Sequence, residues 1–131
     1  MECQIKFFLQ PIGTDTDLFR PAETEFELSD RLKMRRQLGY SDNDIVCVYT
    51  GRFLEGKNPL LLAKAIKHLA SANLPFHGLF IGDGSQINEI LDCPNVKVIP
   101  FMKRKDLADY YRLAYIAVWP TQESLSMLDA A

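Results

Sequence analysis

The sequence predicts an α/β fold: a Rossmann-like doubly wound parallel sheet of about five strands with right-handed crossovers. Three observations predict it. Short apolar runs alternate with helical patterns along the whole chain. Residues 45–50 form a continuous apolar run rather than an alternating one, as expected of a parallel strand buried on both faces. Asn58-Pro59 then gives a clear helix start, with Asn58 placed to cap and Pro59 at the first helical position, where its missing N–H costs nothing.

Taken in order, residues 5–9 read as a first strand, and residues 11–17 are rich in turn formers. Residues 30–38 have helical character, with Ser29 or Asp30 as cap and Gly39 as stop. The strand at 45–50 follows, and then the helix opened by Asn58, on which Leu62, Ala65, Ile66 and Leu69 share one face. A strand at 76–81 ends in the turn Gly82-Asp83-Gly84, and Ser85 is placed to cap a short helix to about Leu91. Residues 96–99, 104–113 and 116–119 read as strand, helix and strand. A helical pattern opens near Ser124 and runs to the last residue without a cap, so an incomplete lobe is expected. Trp119, at a strand end before Pro120, is expected in the core or in the floor of a site.

Bulk properties narrow the function. A chain of 131 residues fits one domain, and 47% apolar residues can build a core. The net charge of −2 gives no field that would draw in nucleic acid, so any anion must be held by a few placed cations. Cys3, Cys47 and Cys93 are widely spaced with no CxxC, which points away from disulfides and structural zinc and toward a reduced, cytoplasmic compartment. No apolar run is long enough to cross a bilayer, and the N-terminus lacks a signal-peptide pattern, which leaves peripheral membrane association open. Neither His68 nor His77 has a ligand at metal spacing, and both read as structural. Motifs of serine hydrolases, zinc proteases and P-loop enzymes are missing.

Four segments, in order, resemble the C-terminal lobe of group 1 (family 4) glycosyltransferases with the two-lobed GT-B fold. They are residues 11–21, with their proline, glycine, aspartate, phenylalanine and closing proline; Gly51-Arg52 followed by Lys57-Asn58-Pro59; Ile81-Gly82-Asp83-Gly84; and residues 95–101 continued by Tyr110-Tyr111, Ala114 and 120–130. The resemblance covers nearly the whole chain. It implies a nucleoside-diphosphate sugar as donor, retention of anomeric configuration, no metal or other cofactor, and a separate N-terminal lobe for the acceptor.

Specific residues acquire roles through it. Arg52 lies just past a strand end, where open α/β sheets bind ligands, and its fork can hold phosphate oxygens bidentately. Lys57 follows closely, and the resemblance gives both residues to the diphosphate; the bland alternative is two solvated loop cations. Glu123 is implied to face the transferred sugar and Asp129 to hold the ribose hydroxyls. Ser124, Leu125 and Ser126 lie between them, and the resemblance implies that the amides of Leu125 and Ser126 point at the diphosphate, with Gly51 beside it. Only five residues separate Glu123 from Asp129, fewer than is usual in the family. Glu123 could instead simply complement a helix N-terminus. Phe101 or Met102 is implied to pack on the base, unless Phe101 merely closes the sheet end. The run Lys103-Arg104-Lys105 reads as a solvated cluster at a helix start, with an added contact to the donor or to lipid as the lesser alternative.

The expected function is therefore donor binding in glycosyl transfer, with the chain alone inactive because it lacks the acceptor lobe. A nucleotide-sugar epimerase lobe and a non-catalytic nucleotide-binding domain are the alternatives. An incomplete sheet edge also predicts self-association.

Overall fold

The computed structural model describes residues 13–121 and 125–130. The strand read at 5–9, together with Glu123 and Ser124, lies outside the described residues. Within them, four parallel strands form one sheet in the order β3-β2-β1-β4. These are β1 (Ile45–Arg52), β2 (Phe76–Asp83), β3 (Val96–Ile99) and β4 (Ile116–Ala117). The helices are α1 (Glu25–Gln37), α2 (Pro59–Ser71), α3 (Ile87–Leu91), α4 (Leu107–Leu113) and α5 (Leu125–Ala130).

Strand β1 shows why the sheet is buried on both sides. Its side chains alternate between faces, so Cys47 and Tyr49 enter one core while Val46 and Val48 enter the other. The first core takes Leu60, Leu62, Ala63 and Ile66 from α2, Ile90 from α3, and Phe80 from β2. The second takes Leu79 and Ile81 from β2 and Leu113 from α4, with Met34 of α1 packed against it. A continuous apolar run is what a strand sandwiched between two helical layers requires.

Several local expectations change. Helix α1 starts at Glu25 rather than near residue 30. Its cap is Thr24, which forms a complete capping box with Glu27. Ser29 and Asp30 fall inside the helix. On α2 the buried positions are Pro59, Leu60, Leu62, Ala63 and Ile66, whereas Ala65 is exposed and Leu69 half-buried. The contact stripe thus follows the sheet slightly round from the predicted face. Asn58 does precede Pro59, but it sits in the left-handed region (φ 50°) and its side chain makes no capping bond. Asparagine tolerates that conformation better than most residues. Ser85 does not cap α3, which begins after Gln86. The helix read at 104–113 begins as a 3-10 turn, Arg104–Asp106, before α4, a common way for a helix to start.

Strand β4 is shorter than residues 116–119, because the chain turns away after Val118 N–H donates to the Val48 carbonyl at 2.9 Å. Gly39, with φ 85°, ends the α1 segment as predicted. Arg35 is buried and donates to the carbonyls of Leu113, Ser41 and Asp44, tying α1 to the end of α4 and to the loop before β1. Its charge is spread over carbonyl dipoles, which satisfies a buried guanidinium without a carboxylate.

Candidate functional site

The chain leaves β1 through α2 to β2 and through α3 to β3, then returns through α4 to β4 on the other side of β1. The strand order therefore reverses beside β1. In open α/β sheets that reversal opens a crevice at the carboxyl ends of the strands, and ligands bind there.

The carboxyl ends of β1 and β2 are stitched together by backbone. Thr50, Gly51 and Arg52 stand in register with Ile81, Gly82 and Asp83. Beyond them, Phe53 N–H donates to the Asp83 carbonyl at 2.8 Å, and Gln86 N–H donates to the Phe53 carbonyl at 3.0 Å. The Asp83 carboxylate accepts the Gly84 N–H at 2.7 Å, closing the turn. Two glycines make this approach possible. A Cβ on Gly82 (φ +153°) would stand 1.9 Å from the Gly51 carbonyl oxygen, and one on Gly84 would lie 2.6 Å from the Phe53 carbonyl oxygen. The Gly-Asp-Gly turn thus has a structural role: it fixes the loop that carries Arg52.

Arg52 is exposed at the end of β1, its carbonyl held by the Tyr49 hydroxyl at 2.8 Å. Lys57 is exposed in the 3-10 turn Glu55–Lys57. Among the described residues neither side chain has a carboxylate partner or a hydrogen bond. The loop after β4 is tied to both segments. Trp119 Nε1 donates to the Thr50 carbonyl at 2.9 Å, and Thr121 Oγ1 donates to the Gly56 carbonyl at 3.2 Å. Trp119 also packs against the first core, one of its two expected places, and it does not line the cleft itself.

A cleft of about 510 Å³ opens over these strand ends. Thr50, Gly51, Arg52, Asp83 and Gly84 form one wall, and Phe101, Met102, Leu107 and Ser126 form the other. Phe101 is 80% exposed, so it does not close the sheet end; it stands on the rim. Beneath the cleft the Thr50 and Tyr111 hydroxyls are 2.8 Å apart. Burial raises the Tyr111 phenol, while hydrogen bonds to Thr50 and Ser126 oppose the shift. That phenol stays protonated and braces the end of β1 against α5.

An adjoining recess of about 300 Å³ shares Phe101, Met102, Leu107 and Ser126 and adds Gly13, Arg104, Leu128 and Asp129. Asp129 is buried, and both its oxygens are engaged. Arg104 donates through Nε to Oδ2 at 2.6 Å and through Nη2 to Oδ1, and Thr14 Oγ1 donates to Oδ1. The hydrogen bond from Arg104 holds the carboxyl below its usual range, against the opposing effect of burial. Arg104 is therefore paired rather than free, although its side chain stays 58% exposed, and its guanidinium also lies over the Phe19 ring at 5.4 Å. Lys103 and Lys105 are exposed, as read from the sequence.

The structure thus gathers Gly51, Arg52, Phe101, Met102 and Ser126 around one cleft and sets Asp129 in the recess beside it. Lys57 lies on a flanking loop and does not line the cleft. Leu125 opens α5. Thr14 and Tyr111 were given no site role from the sequence, and Arg104 only the lesser one of a contact to the donor or to lipid. His77 faces Asp44 at 3.4 Å, His68 is exposed, and no cluster fit for a metal occurs among the described residues.

Residues 44–130 match the family described as "Glycosyl transferases group 1". A curated relative from Escherichia coli, a UDP-Gal:alpha-D-GlcNAc-diphosphoundecaprenol alpha-1,3-galactosyltransferase, is 32% identical over 88 residues. That match takes in 66% of this chain, which spans only about a fifth (21%) of the relative's length. Among solved structures, the C-terminal domain of a glycosyl transferase group 1 family protein (LpcC) from Francisella tularensis superposes with a TM-score of 0.67 at 18% identity. The overlap covers 90% of this chain and 65% of that one. HepE from Anabaena, solved with UDP and glucose, gives a TM-score of 0.67 at 21% identity over 90% of this chain and 34% of its own. These structures share the fold.

Proposed function

Since this chain belongs to the group 1 glycosyl transferases, we propose that it is the donor-binding part of a retaining, metal-independent glycosyl transfer enzyme. Residues 1–131 act as one partial lobe, and the acceptor-binding lobe is supplied by the rest of a longer chain. Arg52 and Lys57 hold the diphosphate of a nucleoside-diphosphate sugar and stabilise the charge that develops on it as the sugar leaves. Glu123 faces the sugar. The base packs against Phe101 or Met102, and Asp129 reads the ribose.

One observation carries this reading. Among the described residues Arg52 and Lys57 have no carboxylate partner, and they stand on two loops flanking the crevice at the strand reversal, the loop of Arg52 being locked by backbone. Arg20, Arg36, Arg104 and Arg112 are each paired with a carboxylate. What sets Arg52 and Lys57 apart from other cations unpaired among the described residues, such as Lys64 and Lys67, is their place beside the strand reversal. Cations available beside strand ends are what a diphosphate leaving group needs in the absence of a metal. Turnover further requires the acceptor lobe, which excludes water and positions the nucleophile.

The E. coli relative uses UDP-Gal, so uridine diphosphate is the first ligand to test, with guanosine and adenosine diphosphates beside it. Calorimetric titration in the presence of a chelator is expected to give binding of one of them in roughly the micromolar-to-millimolar range. Binding that appears only when a divalent ion is added would contradict the metal-independent part. No binding of any of the three would contradict the donor site.

The short spacing from Glu123 to Asp129, with five residues between them, supports a second reading, a non-catalytic nucleotide-binding domain. Transfer by the longer protein separates the two. Self-association through the β4 edge, where Tyr115 is 75% and Ile116 50% exposed, is expected to appear in size-exclusion chromatography of this chain. No helix among the described residues is long and apolar enough to cross a membrane, and we place the reaction on the cytoplasmic side.

A further inference from the structure

The recess beside the cleft is organised around a buried carboxylate held by a guanidinium fork. Asp129 Oδ1 accepts from Thr14 Oγ1 and Arg104 Nη2, while among the described residues Oδ2 accepts from Arg104 Nε alone. A carboxylate offers about four lone-pair sites. Oδ1 has used its two, and Oδ2 keeps one. Arg104 is itself held, since its guanidinium lies over the Phe19 ring and also reaches Thr14 at 3.3 Å. Gly13, Phe101 and Met102 complete the walls of a space of about 300 Å³.

We propose that Arg104 is a positioning residue for a nucleotide's ribose. Acting through Asp129, it fixes the carboxylate and leaves the remaining lone pair of Oδ2 as the acceptor for one ribose hydroxyl, with Thr14 as the second strut. This rests on the donor-site reading above and adds to it a residue that never touches the donor. The chemistry favours a fork over a point charge. Two parallel N–H donors fix the plane of the carboxylate, whereas an ammonium in the same place would let it rotate. Aspartate has a short side chain and little reach to adjust, so its orientation decides whether a hydroxyl can be met. Without Arg104, a carboxylate this buried turns outward or takes up a proton, and either outcome removes the acceptor.

The test is calorimetric titration of the 131-residue chain with uridine diphosphate and its 2′-deoxy and 3′-deoxy forms, or the corresponding set for whichever base binds tightest. Wild type is compared with Arg104→Ala and Arg104→Lys. Wild type is expected to prefer the ribonucleotide over one deoxy form by about tenfold or more, the value of one hydrogen bond to a charged group. Arg104→Ala is expected to bring that ratio close to one while deoxynucleotide affinity changes by less than about threefold, and Arg104→Lys to fall between. A purely structural role would lower both affinities together and leave the ratio intact, so an intact ratio in Arg104→Ala overturns the proposal. Wild type that binds diphosphates without ribose preference also overturns it, while leaving the donor site standing. Wild type that binds none of the diphosphates removes the donor reading and this proposal with it. If Arg104→Ala does not fold, Arg104→Lys and Thr14→Val carry the same comparison of ratios.

Discussion

The two sides of the site are built by opposite means. At the ends of β1 and β2, backbone does the fixing: Gly82 and Gly84 let two loops touch, and the cations stand outside with no carboxylate partner among the described residues. In the recess, side chains do the fixing, and the Asp129 carboxylate is buried beneath its guanidinium partner. The contrast teaches where binding energy is held ready and where shape is held. Exposed, unpaired charge costs little in the free protein and is available to a ligand. A buried, paired charge contributes to the architecture and has only one open valence to offer.

Gly82→Ala should break the backbone side most severely. Its Cβ would meet the Gly51 carbonyl oxygen at 1.9 Å, and only separation of β1 from β2 relieves that contact. A loss of about 4 kcal/mol or more is expected, against a total of roughly 5–15 for an ordinary domain. Chemical denaturation should show a largely unfolded population; a cooperative transition near the wild-type midpoint would mean that the glycine is dispensable.

On the other side, Asp129→Asn should cost about 1–3 kcal/mol by leaving the Arg104 fork and the Thr14 hydroxyl poorly matched. A urea midpoint unchanged from wild type would show that the pair holds nothing together.

The opening of α1 offers a control remote from both sides. Hydrogen bonds from Arg20 and from the backbone of Glu23 and Thr24 lower the Glu27 carboxyl to about 2 from an ordinary 4.5. Because the folded value is depressed, its stabilising contribution is complete above about pH 4.5 and is lost as pH falls toward about 2. Thermal melts across that window should show Glu27→Gln less acid-sensitive than wild type; parallel curves would count against the box. The smallest effect belongs to Arg52→Ala, which should change stability by no more than about 0.5 kcal/mol.

The same contrast explains what could be read from the sequence. Gly51-Arg52, Lys57-Asn58-Pro59 and Gly82-Asp83-Gly84 are contiguous, and each carries its conformation in its own residues, so the β1–β2 side was legible. The recess was not. Thr14 and Asp129 meet across 115 positions, and Arg104 and Asp129 across 25. Nothing local in Lys103-Arg104-Lys105 marks which cation turns inward, and the helix-dipole argument sent all three to solvent. The start of α1 was a different failure. Thr24 and Glu27 stood at capping-box spacing, but the helix is mostly polar, with Arg35 its buried residue, so hydrophobic periodicity could not locate its first turn. Helix α2 and strand β1, both strongly apolar, were found within a few residues of their bounds.

The central claim is that Arg52 and Lys57 hold a diphosphate, and it is tested most directly by one paired titration. Wild type and the Arg52→Ala, Lys57→Ala double variant are compared against the nucleoside diphosphate that wild type binds, with thermal melting as the folding control. Each charge-assisted contact is worth about 1.5–3 kcal/mol, so the double variant should lose at least about a hundredfold in affinity with its melting curve unchanged. Retained affinity in a folded double variant would contradict the account and send the search for the phosphate site elsewhere in the cleft.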